Sequence, residues 1–308
     1  MKRLLTACLL ILLAACSSGT NGSVVVTPPP LPEPEEGETV HETGDGLVFF
    51  LPEELPAESA GFYTVAAADS EKGVLANPMD SADTLRMLGQ DPDISAADYL
   101  TIIAGEENKD KIVDLGNGRA TYTFSSNGYL YKVAGIKGAD RYWTVNYVCK
   151  EDLEGGEELL QKWLEKTYLA PEQPSTDQQI ETDHLRAMLP GCFTLRDDLD
   201  NIKGYEYFRN FVMFIDYEED DLQELGVKNA KDAEEILKAL QVRYDHEAEI
   251  VKSGKIPYYD SVDGEVGTRT AVLPWEGGYT EIEIIYPVAG KELEAPILDR
   301  ILNSIEAK

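Results

Sequence analysis

YWTVNYVCKEDLEGGEELLQKWLEKTY, residues 142–168, opens with a period of two and closes with a period of 3.6. Trp143, Val145, Tyr147 and Cys149 fall on one face of an extended chain, with Tyr142, Thr144 and Asn146 on the other. Leu159, Leu160, Trp163 and Leu164 then form one stripe of a helix. The same unit returns as YTEIEIIYPVAGKELEAPILDRILNSI, residues 279–305, where Ile282, Ile284, Tyr286 and Val288 point inward and Ile297, Leu298, Ile301 and Leu302 make the stripe. The strands align at an offset of 139 residues and the helices at 138, so the chain repeats itself with one residue lost in the turn.

Working outward, FFLPEEL (49–55) matches FTLRDDL (193–199), and SAADYLTII (95–103) matches NAKDAEEIL (229–237). In the second pair Ser95 and Asn229 read as helix N-caps, with Asp98 and Asp232 three residues on. Between these landmarks lie strand-like runs. The first half has GRATYTF and, after Asn127-Gly128, YLYKVAGI; the second has AEIV, IPYYDSV and TRTAVLPW, broken by Ser253-Gly254, Asp263-Gly264 and Gly277-Gly278. The pattern predicts an α+β protein of two tandem repeats, residues 46–169 and 191–308, each an antiparallel sheet flanked by helices. A polar linker is expected over 170–190.

A module that starts with an F-x-L-P strand, inserts a helix, runs an antiparallel meander and closes with a strand-to-helix unit resembles the PsbP-like fold. That is the fold of the extrinsic oxygen-evolving-complex protein of photosystem II, shared with Ran-binding Mog proteins and assorted bacterial lipoproteins. The second copy departs from the pattern at Arg196, where a counterpart of Pro52 is missing. The family has no shared catalytic motif, so no functional residue carries over. The resemblance implies a binding or assembly module.

The amino terminus points to an address. Lys2 and Arg3 precede an apolar segment, Leu4 to Ala15, too short to span a ~30 Å hydrocarbon core as a helix. It ends in Leu13-Ala14-Ala15-Cys16, which resembles the lipobox of bacterial lipoproteins and implies a signal peptide over 1–15, with Cys16 as the acylated first residue. Residues 16–45, rich in Gly, Ser, Pro and Glu, read as a disordered tether, stiffened around Pro28–Pro34 by polyproline II at ~3.1 Å per residue. The expected place is outside the cytosol, at the outer face of a bacterial membrane.

Of 27 basic residues Lys2 and Arg3 leave with the signal, so 25 face 57 acidic ones, a net of −32. That disfavours nucleic acid and anionic headgroups as partners. With 43% hydrophobic residues the chain can bury a real core. Cys149 and Cys192 permit a disulfide clipping the two halves together, or two separate buried thiols.

The common catalytic signatures are absent: no H-E-x-x-H, G-x-S-x-G, Walker A, G-x-G-x-x-G or paired C-x-x-C. Of three histidines, His41 falls in the tether and His184 in the linker, leaving His246, which reads as a surface residue. Asp91, Asp93, Ser95 and Asp98 have the oxygen spacing of a calcium loop, but Ala96 replaces its glycine, and capping by Ser95 explains them. Glu218-Glu219-Asp220-Asp221 reads as a helix start. No metal site and no cofactor are expected. Sixteen tyrosines against eight phenylalanines suit interfaces; Trp275, Tyr258 and Tyr259 escape the core pattern and are candidate contacts. The leading expectation is a non-catalytic module that binds a protein or cell-envelope partner. The alternatives are a lipoprotein capturing a small molecule or glycan, and a hydrolase of unrecognised type, which needs carboxylates with perturbed pKa in a pocket.

Overall fold

The computed structural model describes residues 33–55, 58–60, 63–171, 173–228 and 231–308. In chain order the first half gives strands β1 (Glu38–Glu42), β2 (Leu47–Pro52), β3 (Glu58–Ala60), β4 (Tyr63–Ala68), β5 (Lys72–Ala76) and β6 (Asp80–Ser81). Helices α1 (Ala82–Met87) and α2 (Ala96–Ala104) follow. Next come β7 (Val113–Gly116), β8 (Arg119–Ser126), β9 (Tyr129–Lys137), β10 (Arg141–Lys150), α3 (Gly156–Lys166) and β11 (Tyr168–Leu169). The second half gives β12 (Asp177–Glu181), β13 (Leu185–Pro190), β14 (Thr194–Leu199), β15 (Ile202–Tyr207) and β16 (Asn210–Glu218). Helices α4 (Glu219–Glu224) and α5 (Ala233–Arg243) precede β17 (Tyr258–Asp263), β18 (Val266–Trp275), β19 (Gly278–Pro287), α6 (Lys291–Ser304) and β20 (Glu306–Ala307). The fold is mixed α and β with antiparallel sheets, and none of the described helices is long and apolar enough to cross a membrane.

Each half has a small and a large sheet. The small ones are the β1–β2 hairpin with β11 alongside and the β12–β13 hairpin with β20 alongside. Their registers coincide: Glu38 faces Pro52 as Asp177 faces Pro190, and Tyr168 faces Val48 as Glu306 faces Arg186. The turns are built alike, for the Leu47 N–H donates to Thr43 Oγ1 at 2.8 Å and the Leu185 N–H to Thr182 Oγ1 at 3.2 Å. The large sheets run β3-β4-β5-β10-β9-β8-β7, with β6 also on β10, and β14-β15-β16-β19-β18-β17.

This register corrects one motif. LVFFLP of β2 and LRAMLP of β13 hold the same place in their hairpins, Pro52 facing Glu38 and Pro190 facing Asp177, so by register Pro52 matches Pro190 and not Arg196. FTLRDDL instead runs into β14, an edge strand whose six residues are all exposed. The two acidic stretches look alike as letters, but hairpin hydrogen bonding sets the correspondence and leaves little trace in side-chain identity.

Residues 170–190, expected as a polar linker, contain the β12–β13 hairpin. Ile180, Leu185, Ala187 and Leu189 are buried, alternating with the more exposed Gln179, Glu181, Arg186 and Met188, a period of two that the overall polarity of the segment hides. Order also begins before residue 46. His41 lies in β1, and Glu35 and Glu38 pair with Lys162 and Lys166 of α3 at 2.7–2.8 Å. The glutamates that read as tether composition are thus the partners of two lysines. Residues 1–32, including Cys16, lie outside the described residues, as does Asn229. The cap of α5 is Asp232, which accepts from Glu234 and Glu235. AEIV forms no strand; Val251 makes a single bridge to Tyr258.

The strand-to-helix units build the cores. Trp143, Val145, Tyr147 and Cys149 pack with Leu160, Trp163, Leu164 and Phe49. Ile282, Ile284 and Tyr286 pack with Ile297, Leu298, Ile301 and Leu302. Each such side chain contributes roughly 1.5–3 kcal/mol by leaving water. Val288 lies past the end of β19, in a short 3-10 turn. Met87, from α1 in the first half, is buried in the second half's core, and Arg300 of α6 bonds Asp83 of α1 and Asp177. Pro34–Lys308 is accordingly one compact unit. Cys149 and Cys192 are both free, one in the first core and one against the second, so the disulfide does not form. Burial pushes the Cys192 thiol up to about 12, which suits a small apolar filler.

Candidate functional site

The strands β15 and β16 are joined by Phe208-Arg209, where a tight turn needs a positive φ. Phe208 supplies it, at φ 55°, although a side chain there costs about 1–2 kcal/mol relative to glycine. The residue is 67% exposed. It borders a cleft of about 260 Å³ lined with Arg209, Phe211, Val266, Ile285 and Pro287, at the end of the sheet where two hairpins and β19 terminate. The Arg196 guanidinium lies 5.1 Å from the Phe211 ring centroid, and Arg209 pairs loosely with Glu265 at 3.9 Å. The cleft is therefore apolar in its floor, with two arginines on its rim, Arg196 being held by Glu206 at 2.9 Å.

Alternation along β16 explains the floor. Val212 and Phe214 enter the core against α6, while Phe211, Met213 and Ile215 take the opposite face, half-buried, across from Ile285, Glu283 and Glu281 of β19. Farther along that face α4 and α5 form a cover, with Leu222, Ile236, Leu237 and Leu240 over Tyr259, Val272 and Tyr279. Glu281 and Glu283 lie on this covered face. Burial, and then the Glu283 charge, push the Glu281 carboxyl up to about 7; burial also raises Glu283. On the core side of the same sheet Glu294 of α6 is 1% exposed, and burial raises it to about 7 beside Asn210.

The residues singled out from sequence do not gather. Trp275, at the tip of the β18–β19 hairpin, stacks on His184 with centroids 3.7 Å apart and planes 7° apart. Tyr258 lies under Arg269, 4.0 Å from the guanidinium carbon, and Arg269 is locked by Asp260 and Asp299. Tyr259 is fully buried beneath α5. Trp275 and Phe208 also stand at opposite ends of the sheet, since Trp275 pairs with Gly278 and the cleft is bordered by Pro287. His246 is half-buried, edge-on to Tyr259 at 6.1 Å, rather than a plain surface residue. Ser95 caps α2: its Oγ accepts from the Asp98 N–H at 3.0 Å and donates to the Asp98 carboxylate at 2.7 Å, while Asp93 pairs with Lys137. Glu218 and Asp221 form the capping box of α4.

Phe208 carries no motif. Its only sequence signal is a bulky aromatic between two alternating runs, IKGYEY and NFVMFIDY, where a hairpin ordinarily places Gly or Asn.

Fold and cleft together define an α+β protein of antiparallel sheets with an arginine-rimmed apolar cleft at one sheet end. No protein-family model matches the chain, and no curated protein matches it. Among solved structures, the PsbP protein (CyanoP) of Synechocystis is similar at 12% identity, over 49% of this chain and 98% of that one, with a TM-score of 0.32. A protein from Bacteroides thetaiotaomicron is similar at 12% identity, over 40% of this chain and 45% of that one, with a TM-score of 0.30. The chain thus spans under half the length of that protein. The immunity protein TplEi of Pseudomonas aeruginosa, in complex with a peptide, is similar at 12% identity over 88% of this chain and 98% of that one, with a TM-score of 0.21.

Proposed function

We propose that this chain is a non-catalytic binding module that docks a protein or cell-envelope partner through the Phe208 cleft. The single observation that carries the reading is Phe208 itself, an aromatic ring held out to solvent by a backbone conformation that favours glycine. Strain retained for the sake of an exposed ring has no use in the folding of the sheet. An aromatic anchor beside arginines is the usual make-up of an interface hot spot. Capture of a small ligand by Trp275, Tyr258 and Tyr259 has less support, because stacking and burial already engage those rings.

The wider reading belongs to the same proposal. The chain is exported and lipid-anchored through Cys16 at the outer face of a bacterial membrane, and its body consists of two copies of one PsbP-like module. The matching hairpin registers and large-sheet orders support the duplication.

The test is Phe208→Gly. Glycine fits the turn, so thermal stability holds or rises by up to about 1 kcal/mol, whereas a photo-crosslinker at position 208 in intact cells gives a discrete adduct. The control is Val242, 83% exposed on α5. Equal labelling from 208 and 242 would rule out an anchor at Phe208.

A further inference from the structure

We propose that the α4–α5 cover is a pH-gated flap, closed over the outer face of the second large sheet while Glu281 is protonated and released when Glu281 ionises. The argument starts from burial. Glu281 has no solvent exposure; its Oε2 accepts from the Tyr244 hydroxyl at 3.3 Å, and its Oε1 has no hydrogen-bond partner among the described residues. The buried hydroxyls of Tyr259 and Tyr279 in the same layer are equally without one. A carboxylate placed there has one long hydrogen bond and no cation bonded to it, an arrangement tolerable only for the neutral acid.

The charged and titratable groups around it leave that balance in place. Along β19 stand Glu283 and Tyr279, and across from Tyr279 lies Tyr217 of β16. Tyr259 comes from β17, and Tyr244 and His246 from the chain just past α5. Arg243, at the end of α5, is the cation whose field reaches Glu281, and it is exposed, while Asp221 of α4 adds a further negative charge near Tyr279. The neutral Tyr244 and Tyr217 hydroxyls and the exposed Arg243 favour the carboxylate, but burial and the Glu283 charge outweigh them. Burial holds the Glu281 carboxyl at about 7, where neutral solution can switch it.

The cover is a layer separate from the sheet: Leu222, Ile236, Leu237 and Leu240 seat it, with Leu225, Val227 and Ala233 beside them, and residues 245–257, which follow it, have no helix and one isolated bridge. Lifting it would extend the apolar floor of Phe211, Met213 and Ile215 along the same face. The flap thereby sets the size of the surface next to the Phe208 cleft, a consequence that needs the flap but not the docking function.

Hydrogen exchange of the full chain, corrected for intrinsic rates, tests the flap directly. Between pH 5 and pH 8 the opening constants of α4 (residues 219–224) and α5 (residues 233–243) should rise tenfold or more, while β9 and β10 stay unchanged. Glu281→Gln, neutral and of the same shape, should hold the flap at its low-pH opening at both pH values; Glu283→Gln should only weaken the rise. A flat wild-type profile overturns the proposal whatever the variants do, and so does a rise that persists in Glu281→Gln. Because the readout is exchange within this chain, its failure is separate from any failure of the crosslink at 208.

Discussion

Glu281 and Glu294 sit on opposite faces of one sheet, and both carboxyls are held near 7 against an ordinary 4.5. The folded chain therefore keeps protons that the unfolded chain gives up between about 4.5 and 7. The stabilisation is fully present below pH 4.5 and is lost as the pH rises through 7, at most about 3 kcal/mol for each group. The expected outcome is a urea midpoint higher at pH 5 than at pH 8. Glu294→Gln should remove part of that difference by raising the pH 8 value. An equal midpoint at both values would mean that the two side chains find water in solution. The net charge of −30 acts in the same sense, since acidification relieves self-repulsion. Neither glutamate could be singled out by eye among 57 acidic residues: the stripe of α6 carries Glu294 inward, whereas the alternation of β19 turns Glu281 away from that core and only the α4–α5 cover buries it.

Among the elements, the two small sheets carry the closest correspondence in the molecule. Thr43 and Thr182 each receive the N–H that closes a hairpin turn and are nearly buried. Thr43→Val and Thr182→Val should each cost about 0.5–1.5 kcal/mol in a denaturant titration, with similar values for the pair. A large cost at one and none at the other would mean that the turns only look alike. The first strand of each hairpin was illegible in the sequence because it is short and polar. Glu38–Glu42 and Asp177–Glu181 have the composition of linker, and only the partner strand across the ladder makes them strands. The strand-to-helix units were legible, since one apolar face running from period two into period 3.6 has few ways to be buried.

At the scale of the whole molecule the halves are fastened in the core. Met87 leaves the first half to fill the second, and Arg300 reaches back to Asp83. The body should therefore melt in one cooperative transition. Met87→Ala should lower that transition by about 2–5 kcal/mol without splitting it. Two transitions in calorimetry of the wild-type chain would show that the halves fold independently.

The sequence by itself determined the strand-to-helix units, the offset between them, the α+β class and the caps of α2 and α4, because periodicity and short-range capping are local properties of the chain. It also carried the resemblance to a lipoprotein signal. Only the tertiary structure decided which polar segments became hairpins, that the cysteines stayed apart, that Trp275 lay against His184, and that Phe208 bordered the open cleft. Those outcomes depend on contacts between residues far apart in sequence, where the free energy of pairing or burial is set by the partner and not by the residue.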